Sequence, residues 1–299
     1  MSFQFKQKES VDEAVRRVFR ECVGEARGML SRCGRPAAVH NVRKQIKKLR
    51  AILRLVRSEI GRDDYDKSVK PLRQVADGLT ESRDAHTRLT AFLKLVGRAA
   101  QFVDVEDNLR RHCQRESRRF RKNQFVAKAG RRLWKTGRRM DSLKIRATDA
   151  WIEPGLEQNY GLGRTALSLV RKNPSSENFH EWRKHVKDLW YCLLLLHLGL
   201  PVHTRAMTGR LESLSESLGD DHDLVLLREF VVEKCDRRRS GVKILLELIE
   251  SRQAELRAEA LKLGVRIYAE TPEVFCRRVG ADWSRWHRNK KGAPTTRSA

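Results

Sequence analysis

The sequence predicts an all-α chain built as two helical bundles with short connections. Three observations predict it. One pattern of charged and apolar residues occurs twice, each position 140 residues from its counterpart. Apolar residues recur at intervals of three and four, and no stretch alternates with period two for long enough to make a strand. Trp151-Ile-Glu-Pro154-Gly155 falls between the two copies and reads as a linker, with Pro and Gly adjacent. The expected organisation is a first bundle over residues 1–150, a second over 151–285, and a basic, disordered tail over 286–299.

Ser10 and Glu13 have the spacing of a capping box, so a helix is expected from about Val11 to Met29. Gly34-Arg-Pro36 is a turn. The first copy of the repeat follows: HNVRKQIKKLRAILRLVR, His40 to Arg57. It contains neither Gly nor Pro and is long enough for roughly five turns. Val42, Ile46, Leu49, Leu53 and Val56 form its apolar stripe. His40, Arg43, Lys44, Lys47, Arg50 and Arg54 occupy a different, continuous arc of the same helix. Pro71 is expected in the first turn of a helix running on from Leu72. The stretch LTESRDAHTRLTAFLKLV then carries Arg83, Asp84 and Thr87 on nearby faces. Residues 106 to 150 read as one long helix, weakened by Gly130 and Gly137. Its basic residues are so dense that some must face one another or a bound anion.

The second half opens with a short helix, Leu156 to Val170, and a turn at Asn173 to Ser176. The second copy reads HEWRKHVKDLWYCLLLL, His180 to Leu196. His180, Arg183, Lys184 and Lys187 repeat His40, Arg43, Lys44 and Lys47. Trp182, Val186, Leu189, Leu193 and Leu196 repeat the apolar stripe, which makes Trp182 a core residue. A helix from about Arg205 to Leu218 leads into SLGDDHDLVLL, where Asp223 answers Asp84 at an offset of 139. Two more helices are expected, Leu224 to Cys235 and Val242 to Ala269.

The 299 residues carry 63 Lys and Arg against 38 Asp and Glu, a net charge of +25. Such a surface attracts polyanions: nucleic acid, anionic lipid or inorganic phosphate polymers. The six cysteines are scattered with no C-x-x-C, the pattern of free thiols in a reducing compartment. The first ten residues have no apolar run, and the longest apolar run is too short to span a bilayer. A soluble, cytoplasmic protein is expected.

Within His40 to Arg57 there is no acid at all, whereas a merely solvated helix face interleaves Glu with Lys. Like charges at these spacings call for a counter-anion. Positions i, i+3, i+4 and i+7 span about 10 Å, which suits an extended anionic polymer. Arg offers phosphate a bidentate fork and Lys a point charge. Histidines beside Arg and Lys make poor metal ligands, so no metal site and no cofactor are expected. Asp84 and Asp223 are expected to pair with a signature Arg or Lys and orient it. Trp190 and Tyr191 lie close to the basic arc, as base-stacking aromatics would. A Gly-rich phosphate loop, a G-x-S-x-G and a Mg²⁺-type carboxylate cluster are all missing from the sequence, so an enzyme is not expected.

VHNVRKQIKKLRAILRL and FHEWRKHVKDLWYCLLL resemble the two signatures of the CHAD family, the conserved histidine α-helical domain. The acidic clusters that follow resemble that family's Arg-Asp elements, and the resemblance runs from about residue 10 to 280. It implies two four-helix bundles related by an internal pseudo-twofold, with a basic channel where the signature helices meet. It further implies binding of inorganic polyphosphate, often on intracellular granules. Carried over by position, the ligand-facing set is His40, Arg43, Lys44, Lys47, Arg50, His180, Arg183, Lys184 and Lys187, and Arg54 extends the first arc. Two departures stand out: Trp190 where the second signature usually has Arg, and Asp188 where Lys or Arg is common. The second half is therefore expected to contribute less charge, with Trp190 narrowing the channel. The alternatives are a nucleic-acid-binding helical protein, through non-specific charge, and an enzyme acting on phosphate polymers.

Overall fold

The computed structural model describes residues 3–33, 35–97, 99–122, 124–145 and 150–289. Helices account for the architecture, and there is no strand among the described residues. Helix α1 (Val11–Leu30) starts at the expected capping box: the Ser10 amide donates to Glu13 Oε2 at 2.8 Å, and the Glu13 amide donates to Ser10 Oγ at 3.3 Å. Helix α2 (Pro36–Leu55) contains the first signature and opens a turn earlier than His40, with Pro36 pre-organised in its first turn. A short α3 (Arg57–Ile60) ends at Gly61, whose φ of 78° lies in the left-handed region that favours glycine.

Several helices depart from the sequence expectation. Pro71 sits inside α4 (Arg62–Asp77) rather than at a helix start. Tertiary burial of Tyr65, Val69, Leu72 and Val75 carries the helix through the hydrogen bond that proline removes. Helix α5 (Thr80–Val96) carries Arg83 and Asp84. The single helix expected over 106–150 is instead two, α6 (Val103–Lys122) and α7 (Phe125–Ser142). The expected linker is also corrected. Trp151 and Ile152 are buried, and α8 (Glu153–Lys172) begins within it. There Gly155 packs so tightly on α2 that a Cβ would sit 2.7 Å from the Leu55 carbonyl oxygen.

The second signature lies on α9 (Ser176–Leu196), capped by Ser175 Oγ accepting from the Asn178 amide. The acidic cluster does not separate two helices; it lies in the middle of α10 (Val202–Lys234), one helix of 33 residues. Helix α11 (Ser240–Ile267) follows. A last helix, α12 (Pro272–Arg288), was not expected; it includes the first residues of the expected tail, and 290–299 lie outside the described residues.

Two apolar cores result, and neither follows the division at residue 150. The larger joins residues of both halves, including Leu49, Ile52, Trp151, Trp182, Leu189 and Phe275. The smaller joins the end of α5 and α6 to the C-terminal part of α10 and to α11, around Phe92, Leu109, Leu227 and Leu245. Helix α2 packs on α9, and α5 packs on α10. These two packings bring both signatures and both acidic clusters to one place.

Candidate functional site

Where α2, α5, α9 and α10 converge there is a cavity of about 790 Å³. Its lining includes His40, Arg43, Lys44 and Lys47 from α2, Arg83 from α5, and Arg183 and Lys187 from α9. The apolar stripes of α2 and α9 are buried, as Val42, Ile46, Leu49, Trp182, Val186 and Leu189 show, and this turns the cationic arcs toward the cavity.

Arg43 is tethered at one nitrogen. Its Nη1 donates to the Ala76 carbonyl at 2.6 Å and to Thr80 Oγ1 at 3.2 Å, at the junction of α4 and α5. Arg183 is only 8% exposed, and its Nε is buried without a hydrogen-bond partner. Among the described residues it has no ion pair. Burial and the neighbouring Arg83 push its guanidinium down to about 10. Burial and Arg183 push the Lys187 amine down to about 7. Burial, then Lys187, hold Lys47 well below the ordinary lysine range. His40 is lowered by partial burial and by Lys47 and Lys44. Each of these groups is less willing to carry charge first because it is buried and then because its neighbours are cationic.

The ion pairs of Asp84 and Asp223 go to Arg83, not to a signature cation: Nη1 donates to Asp84 Oδ1 at 2.7 Å and Nη2 to Asp223 Oδ1 at 3.0 Å. A single guanidinium from α5 thus bridges to α10. Burial raises the Asp223 carboxyl, against the lowering influence of Arg83, Arg183 and Lys187. The R-D dipeptide was visible in the sequence, but which guanidinium the two acids would share was not. The acids that α10 contributes to the lining were also missed. Glu212, Glu216 and Asp220 line the cavity, with Asp220 accepting an ion pair from Lys94. Their spacing of four residues on one helix would have shown them had 205–235 been read as one helix.

Asp84 is not among the side chains lining the cavity, and neither are four of the expected ligand-facing residues. Arg54 Nη2 pairs with Asp188 at 2.7 Å, each side chain 15% exposed, and so ties α2 to α9. Arg50 lies a turn before it, with its Nε buried and without a partner. Lys184 forms an ion pair with Glu181. His180 meets His222, with Nδ1 to Nδ1 at 3.2 Å. Burial and Arg183 push the His222 imidazole down to about 2, and the same two causes lower His180. Trp190, beside Tyr191, does line the cavity. Among the described residues, no three His, Cys, Asp or Glu side chains gather as metal ligands would. Nor, among the same residues, is any helix long and apolar enough to cross a membrane.

A model of the CHAD domain matches residues 13–232. The crystal structure of the CHAD domain from the plant Ricinus communis superposes with a TM-score of 0.68 at 16% identity, covering 89% of this chain and 95% of that one. At that identity the likeness speaks for the fold alone. No curated protein matches the sequence. The family match spans most of the chain and includes both signature helices and both acidic clusters, so this protein belongs to the CHAD domain family.

Proposed function

We propose that the cavity between α2 and α9 binds inorganic polyphosphate and does not turn it over. The observation that carries this reading is Arg183: a guanidinium 8% exposed, with an unsatisfied buried Nε and no ion pair among the described residues. An unpaired buried cation costs several kcal/mol, and an arriving phosphate would recover it. Seven Lys and Arg line the cavity against four Asp and Glu, an excess of positive charge that the local acids do not balance. A chain of phosphates, each bearing negative charge, suits a file of cations better than one compact anion does. The acidic wall on α10 would repel the chain and hold it against α2 and α9. On this reading the protein gathers in the cytoplasm where polyphosphate is stored, on polyphosphate granules.

The test is binding of long-chain polyphosphate at physiological salt with tRNA as competitor. Polyphosphate retained against excess tRNA supports a selective site. Displacement at matched charge concentration reduces the cavity to a general polyanion sink and moves nucleic acid to first place. Release of orthophosphate by the protein with Mg²⁺ would overturn the non-enzymatic part of the reading.

A further inference from the structure

Among the described residues, no basic side chain of the 106–150 stretch lines the cavity. On α7 four of them face outward. Lys128, Arg131, Lys135 and Arg138 are all exposed, at intervals of three and four that form one stripe about 15 Å long. No acid lies on this stripe, and among the described residues none of the four has an ion pair. Arg132 and Arg139 on the flank of α7 are only half-exposed, and Arg139 pairs with Asp64 of α4. Trp134 borders the stripe, 49% exposed, although Trp is usually among the more deeply buried residue types. The opposite face of α7 is used up. Leu133, Thr136, Gly137 and Met140 are buried, and α7 packs on α1 and α4.

We propose that the outer face of α7 is a docking surface for single-stranded nucleic acid, with phosphates on Lys128, Arg131, Lys135 and Arg138 and a base stacked on Trp134. Charge complementarity selects a polyanion. The indole selects among polyanions, since a nucleobase offers a flat π-face and inorganic polyphosphate does not. An anionic membrane fits less well, because an interfacial helix needs a broad apolar face and this stripe has only Ala127 and Trp134. The surface is separate from the polyphosphate cavity and stands or falls without it.

The test is binding of a labelled oligouridine to the full chain. Trp134→Ala should weaken it about tenfold, while Trp134→Phe, which still stacks, keeps most of the affinity. Arg131→Ala with Lys135→Ala should lower the slope of log affinity against log salt by about 1.4, since each phosphate left without its cation removes about 0.7. All of these positions are on an exposed face, and circular dichroism checks that the helices remain. Equal oligouridine affinity in wild type and Trp134→Ala would overturn the proposal. So would a Trp134-dependent affinity for phosphatidylserine vesicles that exceeds that for oligouridine.

Discussion

Helices α2 and α9 carry the same motif and use it differently. In α2 all of His40, Arg43, Lys44 and Lys47 line the cavity. In α9 only Arg183 and Lys187 do; Lys184 is held by Glu181, and His180 rests against His222. The cause lies in the neighbours. Helix α2 has no acid of its own beside His40 to Lys47, whereas α9 carries Glu181, which takes Lys184; its Asp188 reaches across to Arg54 of α2. The consequence is a division of labour: α2 offers a row of cations, and α9 contributes one deeply buried guanidinium and one weakened amine. The motif sets which residues could meet a ligand, and the local acids set which remain available.

The largest effect expected from this comparison is on binding. Arg43→Ala with Arg183→Ala should weaken polyphosphate affinity at least about a hundredfold, since charge-assisted hydrogen bonds contribute about 1.5–3 kcal/mol each. The exposed pair Arg237→Ala with Arg238→Ala serves as the control and should change it less than about threefold. Equal losses from both pairs, measured by titration at one salt concentration, would mean that the charge is diffuse and the cavity is not the site.

Next comes the link between the two helices. Asp188→Ala leaves Arg54 nearly buried and unpaired, and should destabilise the fold by about 3 kcal/mol in denaturant unfolding. Replacing both partners with Met should restore most of that. If Asp188→Ala instead improves polyphosphate affinity without loss of stability, Arg54 belongs to the binding set after all.

A smaller effect separates the paired lysines. Lys44→Ala should weaken binding severalfold, while Lys184→Ala, already neutralised by Glu181, should leave it nearly unchanged. The reverse order would show that the ligand displaces Glu181.

The smallest effect is on pH. A lysine held at about 7 in the fold, against its ordinary 10.5, leaves the unfolded chain binding more protons between those values. Stability therefore rises with pH as Lys187 loses its proton through about 7, and its cost is fully present below that. The buried thiols, raised by burial, act the other way above about 8.5. The readable window is thus about pH 7 to 8.5. Over it the midpoint of unfolding should rise more steeply in wild type than in Lys187→Met. Polyphosphate should flatten the difference by restoring charge to the amine, and matching slopes without ligand would mean that Lys187 is not depressed.

Much of this was legible in the sequence because helices report themselves locally. The Ser10–Glu13 cap, the stripe ending at Val56 and the burial of Trp182 follow from spacing alone. So does the all-α class, since a duplicated apolar stripe of period 3.6 cannot be satisfied by strands. The duplication further showed that His40 to Lys47 and His180 to Lys187 are equivalent in sequence.

What the sequence left open were matters of who meets whom. The apparent linker became core because Trp151 and Ile152 found apolar partners from both halves. The break expected near Leu218 vanished because α10 is buried along its length, at Leu211, Leu214, Leu218, Leu224 and Leu227, so packing overrode a polar stretch. Arg83 became the shared partner of Asp84 and Asp223 only once α5 lay on α10. Local spacing fixes a side chain's direction about its own helix axis. Its partner is fixed by helices far away in the chain, and only their packing decides which charges are spent and which stay open to a ligand.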